Sequence, residues 1–389
     1  MKKYCIIGTG RQGTAAAYDL LKHANPKKLL LLDNNIESIA NCISKLDKFD
    51  NNNIIKKKVV DIKNSAALIE ALEEYDIFLS SVPYRYNLAL TQVAVKSKTS
   101  MVDLGGHTEN VIKQLEYNQD AVKNNITIVP DCGMGPGMNV TMGLYAMEQL
   151  DKPEEVRIWD GGLPLNPKPP WNYSLFFNIA GLTNEYDAHA FFLNNGKVSE
   201  VNCFEGYEEL DFGNNIGKLE AVVTSGGLST MPWTFENKLN ILENKTLRYK
   251  GHWEWMRAYR ELGLFSEKEI AYKGNQISPR DFYHFMLEPK LSTGDRNDIC
   301  LMRIEAIGIK NNQKKKIIVD CIEKYDNQSD LMAMEKWTGW HASIMMQHIA
   351  NGNIGPGAFA LENALTGGEF YKEALKRNYN IVVKEKNMA

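Results

Sequence analysis

A glycine-rich turn near the N-terminus constrains the fold of this chain more than any other feature of its sequence. Gly8-Thr9-Gly10-Arg11-Gln12-Gly13 ends a short apolar segment and opens a helix of small residues. In such a turn the first glycine allows a tight bend, the second lets backbone amides approach a pyrophosphate, and the third lets helix and strand pack closely. The helix N-terminus attracts the phosphate charge. The motif predicts a dinucleotide-binding Rossmann domain, with glycines used for packing alone as the alternative.

The first 130 residues alternate apolar strand-like runs with helical segments, which is typical of a doubly wound parallel sheet. The strand-like runs are nearly continuous in apolar residues, so helices are expected to cover both faces of the sheet. The pattern predicts strands over 4–8, 29–33, 59–62, 76–82, 100–104 and 126–130, with helices over 13–24, 36–49, 65–75, 86–98 and 109–125.

The character of the chain changes after Pro130, where longer strand-like segments and hairpin signals such as Asn194-Asn195-Gly196 appear. We predict an α/β fold in which a second α/β domain with a mixed sheet follows the Rossmann domain. Residues 1–132 form the dinucleotide-binding domain in this prediction, and 337–389 pack back on it. Residues 133–336 form a substrate-binding and oligomerisation domain, with strands over 155–160, 190–193, 197–201, 219–224, 299–309 and 316–325 and helices over 137–150 and 332–349.

Bulk properties exclude several classes of protein. A length of 389 residues suits two domains, and a net charge of −3 gives no electrostatic reason to expect a nucleic acid or membrane partner. No run of 18 apolar residues is present, and the six cysteines are scattered without a C-x-x-C pair, so we expect a protein of the reducing cytoplasm. The seven histidines lack the spacing of a metal site, and none is predicted.

Asp33, at the end of the second predicted strand, indicates which cofactor binds. An acidic residue here accepts hydrogen bonds from the adenosine ribose, and its charge repels the 2′-phosphate of NADP. Asn34 supplies no positive charge, although the basic run Lys56 to Lys58 could reach the phosphate. The sequence predicts NAD, with NADP less favoured; Asp33 as a simple helix cap is the alternative.

Two further strand ends point to the same crevice, because ligands lie at the carboxyl ends of a doubly wound sheet. One is Ser81-Val82-Pro83-Tyr84 and the other is Asp103-Leu104-Gly105. Both could contact the nicotinamide ribose, and both could be ordinary strand-to-helix turns.

Several motifs together resemble the saccharopine dehydrogenase family, and most of all its lysine 6-dehydrogenase branch. They are GTGRQG, SVPY, VDLGG, PDCGMGPGMN, DGGLP, TSGGLST and KTLRYKGH, the last ending at His252. The resemblance implies hydride transfer between a nicotinamide and a carbon that bears an amine. Lysine 6-dehydrogenases convert the lysine side chain to its semialdehyde with loss of ammonia. The alternatives are a saccharopine-type reductase acting on a secondary amine, commonly with NADP, and a non-catalytic NAD-binding protein. The resemblance also implies at least a homodimer.

The motifs assign roles to individual residues. Tyr84, Thr224, Ser225 and Arg248 are expected on the substrate side, where a guanidinium suits the carboxylate of an amino acid; a structural salt bridge is the alternative for Arg248. The expected cofactor-binding residues are Gly8, Thr9, Gly10, Arg11, Gln12, Gly13, Asp33, Asn34, Asp61, Ser81, Val82, Pro83, Asp103, Leu104 and Gly105.

The catalytic candidates are Arg248, His252 and Cys132. Hydride transfer from an amine carbon needs a neutral nitrogen, so a group must accept a proton. His252 is the first candidate because imidazole titrates near neutrality, with Asp131 and Glu185 as alternatives and a helix cap as its structural reading. For Cys132 we expect packing or contact, since the reaction needs no covalent intermediate.

Overall fold

The computed structural model describes residues 1–50, 53–187, 189–213 and 216–388. The chain divides into two units, each described here by itself. The first comprises Met1–Glu148, Ser229–Thr234 and Glu335–Asn378, and the second comprises Gln149–Leu228, Phe235–Met334 and the residues from Tyr379 onward.

The strands are numbered in chain order. They are β1 (Lys3–Ile7), β2 (Lys28–Asp33), β3 (Ile55–Val59), β4 (Ile77–Ser80), β5 (Ser100–Asp103), β6 (Thr127–Val129), β7 (Lys152–Pro164), β8 (His189–Asn194), β9 (Lys197–Asn202), β10 (Glu208–Asp211), β11 (Lys218–Val222), β12 (Ile241–Arg248), β13 (Ile270–Tyr272), β14 (Asn275–Ile277), β15 (Asp298–Lys310), β16 (Gln313–Lys324), β17 (Gly357–Ala358) and β18 (Ile381–Asn387).

The α-helices are numbered in the same way. They are α1 (Arg11–Asp19), α2 (Ile36–Leu46), α3 (Ser65–Leu72), α4 (Asn87–Ser97), α5 (Thr108–Leu115), α6 (Asn118–Lys123), α7 (Met138–Glu148), α8 (Ile179–Asp187), α9 (Met231–Thr234), α10 (His252–Glu261), α11 (Pro279–Leu291), α12 (Ala333–Ala350), α13 (Leu361–Ala364) and α14 (Gly367–Lys376).

The first unit is built on a parallel sheet with the strand order β17-β6-β5-β4-β1-β2-β3. β1 pairs with β2 on one side and with β4 on the other, so the winding direction reverses between β1 and β4. Such a reversal opens a crevice at the carboxyl ends of the strands, where doubly wound sheets bind their ligands. The predicted Rossmann architecture is confirmed.

Two predictions within the first unit were wrong, and one of its strands was not predicted. The third strand is Ile55–Val59 and not 59–62, so Lys56 to Lys58 lie inside it. This strand lies at one edge of the sheet, and four of its five residues are exposed. It therefore lacks the run of apolar residues by which the buried strands can be predicted. The C-terminal part of the chain adds β17, which pairs with β6, and the segment predicted as one helix over 109–125 forms α5 and α6.

A buried ion pair ties the C-terminal part of the first unit to α1. Arg377 Nε and Nη2 donate to the two carboxylate oxygens of Asp19 at 2.8 and 2.9 Å, and both side chains are fully buried. Ser343 Oγ, from α12, donates to the same carboxylate at 2.7 Å. The geometry is bidentate, and this arrangement best offsets the free-energy cost of removing two charges from water.

The second unit is built on a mixed sheet whose main path runs β10-β11-β12-β7-β15-β16-β18. β7 is parallel to β12 and antiparallel to β15, which confirms the predicted mixed character. Five strands of this unit were not predicted from the sequence, namely β10, β12, β13, β14 and β18. KTLR lies in β12, and β18 adds an exposed edge strand beside β16.

The boundaries of the units differ from the predicted domains at four places. Residues 133–148, 229–234 and 335–336 group with the first unit, whereas the chain from Tyr379 onward groups with the second. The last difference follows from β18, because its pairing with β16 commits the C-terminal strand to the mixed sheet.

Candidate active site

The glycine turn of the first unit has the close approaches that its sequence predicts. A Cβ at Gly13 would lie 1.9 Å from the carbonyl oxygen of Gly8 and 2.6 Å from Ser81 Oγ, so only glycine fits there. A Cβ at Gly10 would meet nothing within 4 Å. Gly10 is the N-cap of α1 and, as a glycine, has no side chain that could bond to the first amides of the helix. Open space therefore lies over Gly10, beside the N-terminus of α1.

Asp33 holds this turn from the end of β2. Its Oδ2 accepts hydrogen bonds from the Thr9 amide at 2.7 Å and from Thr9 Oγ1 at 3.0 Å, and its Oδ1 accepts from the Asn35 amide at 3.0 Å. The N-cap of α2 is Asn35, whose side chain accepts from the Glu37 amide, so Asp33 is not the helix cap. A carboxylate oxygen accepts more than one hydrogen bond, and Oδ1 retains capacity for a ribose hydroxyl.

The residues around the turn fit a dinucleotide. The buried Gln12 Oε1 has no hydrogen-bond partner within the part of the chain that the structure describes. A buried orphan acceptor, the open space over Gly10 and the amides of α1 together suit the pyrophosphate and ribose of such a cofactor. Ser81 Oγ donates to the carbonyl oxygen of Ile7 at 3.1 Å and also to that of Gly8, so Ser81 supports the turn itself.

The remaining predicted cofactor residues lie in the first unit, Arg11 at the start of α1 and the others on the segments that follow strands. Arg11, Asn34 and Pro83 are exposed, and Val82, Leu104 and Gly105 are half-buried. Asp61 lies on an exposed turn after β3 and accepts from the Lys63 amide at 2.9 Å. Tyr84 follows β4, and its ring stacks on that of His107 with centroids 5.2 Å apart.

Two carboxylates are buried at the ends of β5 and β6. Asp103 accepts from the amides of Gly105 and Asp131 at 2.8 and 3.2 Å and from Gln114 Nε2 at 2.8 Å. Asp131 has a left-handed backbone with φ of 64° and accepts from Ser229 Oγ. Burial raises the pKa of both carboxyl groups, and the charge of Asp103 raises that of Asp131 further. These bonds give Asp103 a structural role in joining the two strand ends.

Cys132 is a packing residue in this arrangement. It is fully buried, its thiol faces the carbonyl oxygen of Val129 at 3.4 Å, and burial raises its pKa well above the usual value. Its own carbonyl oxygen accepts from His341 Nδ1 at 2.9 Å. A thiol held protonated in this way is a poor nucleophile.

The second unit places Arg248 at the end of β12, where it is 2% exposed. Its Nε donates to Tyr186 Oη at 2.8 Å, Nη1 donates to the carbonyl oxygen of Leu247 at 2.9 Å, and Nη2 lies 3.4 Å from Glu185 Oε2. The guanidinium carbon is 4.9 Å from the centroid of the Tyr173 ring. A permanent charge is thus enclosed by aromatic rings and a single carboxylate.

A glycine of the DGGLP motif gives Arg248 the space that it needs. A Cβ at Gly161 would lie 2.5 Å from the carbonyl oxygen of Leu247 and 3.3 Å from Arg248 Nη1. The glycine of the motif is therefore required for β7 to pack against the end of β12.

Glu185 is the accessible acid of this cluster, with a quarter of its side chain exposed. Burial raises its pKa, against the opposing effects of Arg248 and of a hydrogen bond from Thr246 Oγ1 at 3.4 Å. Thr224 and Ser225 support it. Thr224 Oγ1 lies 2.6 Å from Thr246 Oγ1, and the Ser225 amide donates to the Glu185 carbonyl oxygen at 2.9 Å.

His252 begins α10 and is fully buried. Nε2 lies 3.1 Å from Tyr186 Oη, and Nδ1 lies 2.9 Å from the carbonyl oxygen of Trp171. Burial, and then the charge of Arg248, lower its pKa to about 3. Both nitrogens are engaged and no atom is accessible, which argues against His252 as the proton acceptor. The sequence did not point to Tyr173 and Tyr186, because aromatic residues in an apolar segment look like ordinary core.

The residues that the structure describes contain no cluster of three or more His, Cys, Asp or Glu side chains placed to hold a metal ion. They also contain no helix long and apolar enough to cross a bilayer.

Models of two protein domains cover nearly all of the chain. The saccharopine dehydrogenase NADP binding domain matches residues 4–129, and the saccharopine dehydrogenase C-terminal domain matches residues 133–378. The chain belongs to the saccharopine dehydrogenase family. This confirms the family resemblance and places a nicotinamide cofactor on the first unit.

Individual members of the saccharopine dehydrogenase family are distant in sequence. The NADP(+), L-glutamate-forming saccharopine dehydrogenase of Schizosaccharomyces pombe is 24% identical, with 70% of this chain and 60% of that enzyme aligned. The Saccharomyces cerevisiae enzyme of the same name is 20% identical over 85% of this chain and 88% of its own. Mouse mitochondrial alpha-aminoadipic semialdehyde synthase is 25% identical, and the match spans only 29% of its length.

A solved structure supports the fold assignment. The histidine-tagged apo saccharopine dehydrogenase of S. cerevisiae superimposes with a TM-score of 0.76, covering all of both chains at 16% identity. At this identity the likeness establishes the fold alone.

The environment of His252 predicts a specific dependence of stability on pH. In the unfolded chain the imidazole takes up a proton below about pH 6.5, whereas in the folded protein it does so only near pH 3. Its contribution to stability is therefore complete above pH 6.5 and is lost as the pH falls toward 3. We expect His252→Gln to flatten the fall of the thermal midpoint between pH 6.5 and 4. Equal slopes for the variant and the wild-type protein would contradict the assignment.

Proposed function

We propose that this protein is an NAD(P)-dependent oxidoreductase that acts on the C–N bond of an amino acid. Its substrate in this proposal is a primary amine at the end of a lysine-like side chain. The observation that carries the proposal is the buried Arg248 guanidinium beside the partly exposed Glu185. Arginine is the side chain best suited to hold a planar carboxylate, and Glu185 supplies a neighbouring proton acceptor.

The proposed reaction consists of substrate binding followed by three chemical steps, which are proton removal, hydride transfer and hydrolysis. Arg248 holds the distal carboxylate, and Glu185 accepts a proton from the substrate ammonium group, so that the nitrogen lone pair becomes available. When bound, a nicotinamide cofactor would supply the acceptor for the hydride of the carbon that bears the amine. Water then adds to the resulting iminium carbon, and ammonia leaves to give the aldehyde. The raised pKa of Glu185 suits this role, because it brings the carboxyl group closer to neutral pH.

A second candidate function is a saccharopine-type dehydrogenase or reductase, in which the nitrogen carries a second carbon chain. The similarity to the saccharopine dehydrogenases of S. pombe and S. cerevisiae favours this second function. The two candidates differ in the nitrogen substituent and share the carboxylate anchor. The choice between them therefore rests on substrate tests.

An activity screen with a matched pair of variants tests the function. We expect reduction of NAD(P)+ with lysine, saccharopine or a related amine, and a fall in kcat/KM of more than about tenfold in Arg248→Lys, because the planar fork is lost while the charge stays. The control is Arg303→Lys, which alters the sheet ion pair with Asp320 and should leave kcat/KM nearly unchanged. A wild-type protein that binds the cofactor yet reduces it with none of these amines would establish the non-catalytic alternative.

We propose NAD as the preferred cofactor, since Asp33 ends β2, the position from which an acidic side chain of a Rossmann domain accepts hydrogen bonds from the adenosine ribose. Two observations favour NADP instead. The matching N-terminal domain and the yeast relatives carry NADP in their names, and the lysines of β3 could bind its 2′-phosphate. In our proposal kcat/KM is higher with NAD+, and Asp33→Ala narrows the difference because the repulsion of the 2′-phosphate is removed. The control is Asp120→Ala, an exposed aspartate on α6 with no expected cofactor contact, which should leave the difference unchanged. Equal or NADP-favouring values for the wild-type enzyme would refute the preference.

We also propose that the protein is at least a homodimer, through the second unit. The outward face of α11 carries Phe282, Phe285 and Met286, with Phe285 74% exposed, and its inward face is buried. The segment 255–289 carries seven large apolar side chains that are 43% to 76% exposed. At roughly 200 Å² for a whole side chain, their exposed parts add up to about 800 Å², the area that one partner contributes to a standard interface. The seven are Trp255, Leu262, Ile270, Tyr272, Phe282, Phe285 and Met286.

Sedimentation at micromolar concentration tests the homodimer. We expect a species larger than 44.1 kDa for the wild-type protein, and a shift to the monomer in Phe285→Asp, because a charge would be buried at the interface. Val122→Asp, at an exposed apolar position of the first unit, should leave the assembly unchanged. A wild-type protein that sediments only as a monomer would refute the proposal.

A further inference from the structure

The hydroxyl group of Tyr173 is an anomaly in the second unit. The side chain is 4% exposed, and its Oη has no hydrogen-bond partner within the part of the chain that the structure describes. Leaving a buried polar group unpaired costs about 1–3 kcal/mol. Such a group calls for an explanation, and one is a partner that arrives with a ligand.

Tyr173 lies directly against the candidate substrate anchor. The centroid of its ring is 4.9 Å from the guanidinium carbon of Arg248 and 5.1 Å from the centroid of the His252 ring. Phe176 contacts the ring edge-on at 5.9 Å. Burial raises the pKa of the phenol, so its oxygen carries a proton and is a donor at neutral pH.

Arg248 also has donor capacity beyond its observed bonds. A guanidinium carries five N–H groups. The observed bonds use one to Tyr186 Oη, one to the carbonyl oxygen of Leu247 and one, at 3.4 Å, toward Glu185. Each terminal nitrogen therefore retains an N–H group. These donors and the Tyr173 O–H belong to one aromatic-walled cluster, in which the carboxylate paired with Arg248, that of Glu185, is partly exposed to solvent.

We infer that Tyr173 and Arg248 form a two-donor subsite for a substrate carboxylate, in which the tyrosine O–H and the free guanidinium N–H groups bond to the carboxylate oxygens. An ionised carboxylate only accepts hydrogen bonds, so it matches a set of unpaired donors around a positive charge. The inference rests on the proposed function for the identity of the substrate, and it adds a residue that sets specificity for the anion.

The substitution Tyr173→Phe tests the subsite, because it removes one oxygen and keeps the ring over Arg248. Loss of a hydrogen bond to a charged group should raise the KM for the amino-acid substrate roughly ten- to hundredfold, while the KM for the nicotinamide cofactor stays unchanged. The thermal midpoint of the ligand-free variant should equal or exceed that of the wild-type protein, since an unpaired buried hydroxyl is removed. An unchanged substrate KM would overturn the inference.

The control variant is Tyr249→Phe, next to Arg248 in sequence. Tyr249 Oη already donates to the carbonyl oxygen of Pro164 at 3.0 Å, so its removal should lower the thermal midpoint and leave the substrate KM unchanged. A lowered midpoint in Tyr173→Phe, matching that of Tyr249→Phe, would mean that the Tyr173 hydroxyl has a structural partner and would overturn the inference.

A binding measurement separates this inference from the proposed function. Glutarate, a dicarboxylate without an amine, should raise the thermal midpoint of the wild-type protein and raise that of Tyr173→Phe much less. If no amine is oxidised but this difference is found, the proposed function fails and the carboxylate subsite stands. If amines are oxidised and both proteins respond equally to glutarate, the subsite fails and the proposed function stands.

Discussion

The positive charge of Arg248 has to be compensated inside the second unit, and much of the surrounding structure follows from that requirement. Burying an ion costs several kcal/mol unless hydrogen bonds and an opposite charge replace water. Tyr186 and the Leu247 carbonyl oxygen supply hydrogen bonds, Glu185 supplies the opposite charge, and the absence of a side chain at Gly161 supplies the space. The compensation is incomplete, since the carboxylate is partly exposed and N–H donors remain. An incompletely compensated cation is what a site for an anionic substrate requires.

Buried charges organise the first unit in the same way. The bidentate Asp19–Arg377 pair fixes the C-terminal part of the unit to α1, the helix whose N-terminus is proposed to face the cofactor pyrophosphate. Asp103 joins the ends of β5 and β6 through backbone amides, and Asp33 holds the glycine turn through Thr9. Acidic side chains thus shape the crevice end of the sheet. Of these three, Asp33 is partly exposed and retains an oxygen with capacity for a ribose hydroxyl, whereas Asp103 and Asp19 are fully buried.

Sequence reasoning succeeded where the signal is local and failed where it depends on distant pairing. The glycine turn and the apolar strands of the parallel sheet carry their own pattern, and both were predicted. β3 was misplaced because an edge strand tolerates Lys56 to Lys58 on exposed positions. Nothing local marks β18 either, since its place is fixed by pairing with β16. The rings around Arg248 were missed because nothing in the local sequence distinguishes Tyr173 and Tyr186 from core residues. Their role depends on contact with an arginine that is distant in the sequence.

The most direct test of this account is the fate of the hydrogen on the carbon that bears the amine. Lysine would be supplied with deuterium at C6 in one reaction and at C2 in another, and the reduced cofactor would be analysed by mass spectrometry. The account predicts one deuterium in the reduced nicotinamide for each ammonia released from C6-labelled lysine, and none from C2-labelled lysine. Reduced cofactor without deuterium from the C6-labelled substrate, or deuterium transferred from C2 instead, would contradict it.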